Sequence, residues 1–179
     1  LGGLLVGVVA GKTLARYLNK PFIAVNHLEG HALSIKLEKD IDFPYLLLLV
    51  SGGHTEFTVI KKFNNYKRLR TTIDDALGEA FDKTARLLNL SYPGGPKIEK
   101  YAALGDKTRF KLPMPLVNEK NCHFSFSGLK SAVADIVSQH KCTEKFKKDM
   151  CASFQNTINE ILYVKTRNAI KEYKKITKT

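Results

Sequence analysis

The sequence predicts an α/β fold, and three observations carry that prediction. The run YLLLLVS, residues 45–51, is continuously apolar and short, as a buried strand is. Across Gly52 and Gly53 it is followed by the alternating stretch TEFTVI, the pattern of a hairpin. Around this pair lie stretches with a 3.6-residue apolar period, long enough to be helices that cover an inner sheet.

Taken in order, residues 3–19 form the first expected helix, with Leu4, Val8, Gly11, Ala15 and Leu18 on one period. Gly7, Gly11 and Ala15 give it a small-residue face that allows close packing on a neighbour. PFIAV, residues 21–25, reads as a short buried strand opened by Pro21. Residues 26–38 read as a helix with Asn26 as its N-cap. A polar connector, EKDIDFP, leads to the hairpin, and residues 64–72 supply a third strand. Residues 74–90 are amphipathic and place Asp74 and Asp75 in the first turn, where the helix dipole favours acids. YPGGP, residues 92–96, is a rigid turn into a helix over 96–104. Residues 106–126 are loop-like, and two long helices follow over 127–140 and 144–175.

Composition narrows the function classes. With 44% hydrophobic residues the chain can fill a core. The apolar opening is interrupted by Lys12 and Arg16 and falls short of the roughly 20 residues a membrane span needs. Cys122, Cys142 and Cys151 have neither metal-ligand spacing nor an even count, so reduced thiols in a cytoplasmic protein are expected. Residues 1–60 are neutral in net charge, and the whole excess of +12 falls after residue 60. Such an excess suits a polyanion such as nucleic acid, although a lysine-rich composition alone gives the same number. The chain does not begin with Met and opens inside a helical pattern, so an excerpt of a longer protein is expected.

Four local features can carry chemistry. His27 and His31 are four apart, which puts both rings on one helix face within reach of one ion. Glu29 points to another side, and the zinc-protease pattern H-E-x-x-H is not there. Read alone, a solvated pair of histidines is the more ordinary reading. The glycine turn in LVSGGHTE exposes backbone N–H groups suited to a phosphate, or is simply a hairpin turn. Asp82 and the glycines of YPGGP can meet ribose hydroxyls, or be a solvated acid and a turn. In FSFSGLKSA, Ser125 or Ser127 can cap the next helix.

Taken together and in order, NHLEGHALS, LLLLVSGGHTEF, IDDALGEAFDKTARLLNLSYPGGPKIEK and FSFSGLKSAV closely resemble the TsaD family of tRNA-modifying transferases, most like its bacterial members. The resemblance runs along essentially the whole chain. It implies a partial ASKHA fold (actin, sugar kinase and Hsp70-like ATPase). Residues 1–43 would end the first subdomain and carry the metal-ligand helix; residues 44–179 would begin the second, with a helical insert. It implies transfer of a threonylcarbamoyl group from threonylcarbamoyl-AMP to N6 of adenosine 37 in tRNAs reading codons that begin with A. By that match His27 and His31 hold one Fe(2+) or Zn(2+) per subunit. Leu49, Val50, Ser51, Gly52 and Gly53 form the substrate loop, with Asp82, Gly95 and, with a weaker match, Glu99 on the same substrate. The implied partners are tRNA, a TsaB-like paralogous scaffold, a TsaE-like ATPase and a companion that makes the adenylate, without a membrane. The family's first nucleotide loop would precede Leu1; its substrate asparagine and third metal ligand, an Asp, would follow Thr179. The 179 residues alone are therefore expected to be inactive. The alternatives are a carbamoyltransferase of the same fold with a non-tRNA acceptor and a non-catalytic scaffold paralogue, which lacks the histidine pair. A third, the old peptidase label of the family, finds no general base beside the histidines.

Overall fold

The computed structural model describes residues 2–178. The chain divides into two compact units, residues 1–40 and 41–179, each with its own architecture.

The first unit holds α1 (Gly2–Tyr17), α2 (His27–Leu33) and a short 3-10 turn, Ser34–Leu37. No residue of α1 is buried, and Leu5, Val6 and Leu14 stand in solvent. Its small-residue face has one near neighbour: a Cβ on Gly11 would meet the Phe22 ring at 3.0 Å. Residues 21–25, expected as a strand, are irregular, and Ile23 is 81% exposed. An extended segment becomes a strand only beside a partner ladder, and among the described residues no strand pairs with it. Helix α2 starts where Asn26 predicts: its Oδ1 accepts from the N–H groups of Leu28 (2.9 Å) and Glu29 (3.4 Å).

The second unit is α/β. Strands β1 (Tyr45–Val50), β2 (Thr55–Lys62) and β3 (Asn65–Thr71) form an antiparallel sheet in the order β1-β2-β3. Register runs from Tyr45 opposite Ile60 to Val50 opposite Thr55, which leaves residues 51–54 as the hairpin loop. Helices α3 (Leu77–Leu87), α4 (Gly94–Ala102), α5 (Ser127–Ser138) and α6 (Glu144–Thr177) follow. Phe57, Val59 and Leu69 of the sheet share one core with Leu77 and Ala80 of α3, Ile98 of α4 and Leu129 and Val133 of α5. Helix α6 adds Phe146, Met150, Phe154, Ile158 and Ile161, a stripe at three- and four-residue spacing. Rings of Phe57, Phe124 and Phe126 stack in sequence at 5.3 and 5.7 Å, seating the end of the 106–126 loop.

Three helices take their N-terminal caps from other elements. Thr55 Oγ1 on β2 accepts from Leu77 N–H at 2.8 Å and starts α3. Asp82 Oδ1 on α3 accepts from Gly94 N–H at 2.7 Å and starts α4. Asp74 accepts from the N–H groups of Phe126 (2.8 Å) and Ser127 (3.3 Å) at the start of α5, and from both serine hydroxyls. The helix expected from residue 74 thus begins only at Leu77, because Asp74 is spent on α5 and Asp75 pairs with Lys83. Likewise Ser125 and Ser127 donate to a remote carboxylate rather than capping their own helix. Partial burial pushes the Asp74 carboxyl up, yet the bonds from Ser125, Phe126 and Ser127 outweigh it and hold it below its ordinary value.

Two buried charges fix the long loop on α6. Lys165, fully buried, donates to the carbonyls of Leu116, Glu119 and Asn121 at 2.6–3.2 Å. Asp149 accepts from Asp106 N–H and from Arg109 and Lys145 at 2.9–3.0 Å. All three cysteines are free thiols. Burial pushes Cys122 up to about 11 and Cys151 up to about 12, so both are protonated at neutral pH. Among the described residues no helix is long and apolar enough to cross a membrane.

Candidate functional site

Each unit carries candidate site residues of its own. In the first, His27 and His31 stand one turn apart on α2, both exposed, with ring centroids 4.6 Å apart and planes at 77°. Two imidazoles so placed can share one ion, but a catalytic metal site generally takes three protein ligands. Among the described residues no group of three or more His, Cys, Asp or Glu is placed to hold a metal. The pair therefore fits as two of three donors in a set that needs a further ligand.

In the second unit a cleft of about 450 Å³ opens where the hairpin loop, α3, α4 and α6 meet. Val50 and Gly52 come from the hairpin, and Leu77, Gly78, Phe81 and Asp82 lie on one face of α3. Tyr92 and the α4 residues Gly95 and Glu99, one turn apart, form the opposite wall, and Gln155 reaches in from α6. Of the residues singled out in the sequence, Val50, Gly52, Asp82, Gly95 and Glu99 line this one cleft. Leu49, Ser51 and Gly53 do not. Leu49 is buried in the sheet, while Ser51 and Gly53 shape the loop.

The loop's own bonds decide which backbone donors remain. Ser51 N–H donates to His54 O, and Ser51 Oγ accepts from the N–H groups of Gly53 (3.3 Å) and His54 (3.0 Å). Gly52 N–H has no partner among the described residues, and a Cβ on Gly52 would meet nothing within 4 Å. The loop thus lines the cleft with bare backbone and carries one donor without a partner among the described residues, a type of group that suits an anionic oxygen. The cleft's width is fixed by two close approaches. A Cβ on Gly78 would lie 2.9 Å from Gly52 Cα and Ser51 O; one on Gly94 would lie 2.7 Å from Asp82 Cα. Glycine at each point lets α3 touch the hairpin on one side and α4 on the other.

Asp82 has two duties. Its Oδ1 holds Gly94 N–H, while Oδ2 has no partner among the described residues, and the residue lines the cleft. Gln155 has the opposite character: its Oε1 is shut off from solvent and has no hydrogen-bond partner among the described residues. An orphan acceptor of this kind costs about 1–3 kcal/mol. The sequence reading missed Leu77, Gly78, Phe81, Tyr92 and Gln155. Gly78 carried a legible signal, since glycine inside a helix costs about 1 kcal/mol against alanine and asks for a reason. Leu77 and Phe81 follow from Asp82 by helical spacing. Gln155 gave no local signal, because its place depends on where α6 crosses α4.

Comparison with known proteins fits this geometry. The family model for TsaD, described as tRNA N6-adenosine threonylcarbamoyltransferase, matches residues 1–177. The chain belongs to this family. Among curated members, the tRNA N6-adenosine threonylcarbamoyltransferase of Pelagibacter ubique (strain HTCC1062) is 58% identical over 173 residues, covering 97% of this chain and 48% of that protein. That of Rickettsia bellii (strain OSU 85-389) is 53% identical over 178 residues, covering 99% of this chain and 52% of the relative. That of Rickettsia rickettsii (strain Sheila Smith) is 52% identical with the same coverage. This TsaD-family chain therefore spans about half the length of the curated relatives it matches.

Proposed function

We propose that the full-length protein carrying this chain transfers the threonylcarbamoyl group of threonylcarbamoyl-AMP to N6 of adenosine 37 in tRNAs that read codons beginning with A. One observation carries the reading: of the eight residues that the resemblance implies hold an adenylate, five, Val50, Gly52, Asp82, Gly95 and Glu99, line one cleft. Gly52 N–H donates to a phosphate oxygen of the adenylate, and the carboxylates of Asp82 and Glu99 accept from ribose hydroxyls. The acceptor amine attacks the carbamoyl carbonyl, the new C–N bond forms, the C–O bond to phosphate breaks and AMP departs with that oxygen, while the proton lost by the amine passes to water. Holding AMP's phosphate on a backbone donor stabilises the charge that develops there.

His27 and His31 would hold Fe(2+) or Zn(2+) together with a ligand from outside the described residues. Such an ion supplies Lewis acidity to a carbonyl oxygen. The fold of the whole protein is read as ASKHA, with the subdomain change near residue 43, and the protein as cytoplasmic. A TsaB-like scaffold, a TsaE-like ATPase and an adenylate-forming companion complete the expected partners. The basic excess after residue 60 favours tRNA as acceptor.

The test is direct. Purified full-length protein with its partners, chemically prepared threonylcarbamoyl-AMP and unmodified tRNA should yield N6-threonylcarbamoyladenosine on nucleoside mass spectrometry. His27→Ala or His31→Ala should lower the yield about a hundredfold or more, the scale of a lost Lewis acid. Absence of product, equal activity of the histidine variants, or faster transfer to small amines than to tRNA would overturn the proposal.

A further inference from the structure

On the far edge of the sheet from β1, a groove of about 310 Å³ runs between β3 and the last turns of α6. Strand β3 lines it with Lys67, Arg68 and Arg70, and α6 with Glu172 and Lys175. A β-bulge builds it. Lys67 pairs with Val59, Arg68 with Thr58 and Arg70 with Phe57, so Leu69 is the extra residue. In an unbroken strand two residues three apart point to opposite faces. The bulge instead puts Lys67 and Arg70 on one face, that of Phe57 and Val59, against which the helices pack. The charges there are unbalanced. Arg68 pairs with Glu56 at 3.2 Å. Glu172, the groove's one acid, stands beside the Cys122 thiol and, after burial itself, helps to push it up. Lys67, Arg70 and Lys175 are exposed and have no carboxylate partner among the described residues. Residues 57–73 contain no Asp or Glu, so neither β3 nor its hairpin supplies one.

Three unpaired cations across a groove call for an anion, and the walls say which kind. A protein partner is held at an apolar centre, whereas here Leu69 is buried and Ile176 only partly exposed. Phosphodiesters need only the charges and their donors, whatever the base sequence. The groove shares no residue with the cleft. Arg70 and Lys67 stand opposite residues two and four places along β2 from Thr55, where the hairpin loop ends, or about 7–14 Å along the strand. An RNA with one nucleotide at the cleft can therefore lay neighbouring backbone along the groove. Resting on the reading of tRNA as acceptor, we propose that the β3–α6 groove docks the phosphate backbone of that RNA outside the nucleotide that reacts. Lys67, Arg70 and Lys175 hold phosphates there, and the contact carries no sequence information.

The full-length protein with its partners is titrated with unmodified tRNA by fluorescence anisotropy at several salt concentrations. Lys67→Gln, Arg70→Gln and Lys175→Gln combined should weaken binding about tenfold or more and flatten the salt slope by about 2 to 3, the share of three phosphate contacts. An unchanged urea midpoint shows that the variant is folded. Lys175→Gln alone, on an exposed helix turn, should still flatten the slope by about 0.7 to 0.9. The charge-keeping set Lys67→Arg, Arg70→Lys and Lys175→Arg should hold tRNA affinity within about threefold. Lys100→Gln, Lys120→Gln and Lys141→Gln combined remove the same charge elsewhere on the surface. An equal loss from that set would show that only net charge matters and would overturn the proposal. Unchanged tRNA binding in the groove variants would do the same, as would a loss confined to phosphatidylserine vesicles. These results would leave tRNA as the acceptor. If the unaltered protein with its partners bound no tRNA, the acceptor reading itself would fall, and the groove with it.

Discussion

Asp82 shows how one side chain both caps a helix and lines a cleft. Its Oδ1 starts α4, and the residue lines the cleft. The two roles separate by substitution. Asp82→Asn keeps an acceptor for Gly94 N–H, so stability should change by only a few tenths of a kcal/mol, while adenylate affinity falls. Asp82→Ala should lose the same affinity and a further 0.5–2 kcal/mol or so of stability, the range for a lost cap. Urea denaturation with calorimetric AMP binding distinguishes them; equal stability of both variants would refute the capping role. Asp149 makes a second prediction. Its carboxyl is held below the ordinary carboxylate range by the Asp106 N–H first, then by Lys145 and Arg109. A depressed value means that this stabilisation is fully present above about pH 4 and is lost as pH falls through the lowered value. Thermal melts between about pH 3 and 7 should therefore fall less steeply with acid in Asp149→Asn than in the unaltered protein.

Among the elements, α3 is the one on which others depend. It is started by Thr55, it starts α4, and its first turn lies against the hairpin loop. Gly94→Ala would drive a Cβ into backbone at Asp82, where no flexible side chain can yield. The expected cost is about 1–3 kcal/mol, with loss of adenylate binding as α4 moves from α3; an unchanged urea midpoint would argue against the contact. These remote caps also explain what the sequence withheld. Helical periods over 74–90, 127–140 and 144–175 are local patterns, and they locate α3, α5 and α6. Where α3 begins depends on Thr55 and on Asp74 being taken by α5, which are contacts made 22 and 52 residues apart. PFIAV shows the converse error: its apolar text suits a strand, but a strand is defined by its neighbour. For the site, His27 and His31 needed only a helical period, and Asp82 and Gly95 needed the order of the motifs. Gln155 needed the packing of two helices.

The whole molecule carries its positive charge unevenly, with net neutrality over residues 1–60 and the excess afterwards. If tRNA is the acceptor, that excess meets phosphates and releases counterions. Each phosphate contact then adds about −0.7 to −0.9 to the slope of log affinity against log salt. The full-length protein's affinity for tRNA should fall steeply with salt, whereas its affinity for AMP should fall far less. Parallel titrations at several salt concentrations check this, and equal slopes would show that the basic excess does not bind the acceptor.

The two glycine contacts on α3 give the cleft the character of a caliper. With Gly78 against the hairpin and Gly94 against Asp82, the gap between the hairpin loop and α4 is set by backbone touching backbone. A ligand does not draw these walls together on arrival; it finds them already spaced. For any ligand that enters this cleft, little ordering entropy opposes binding.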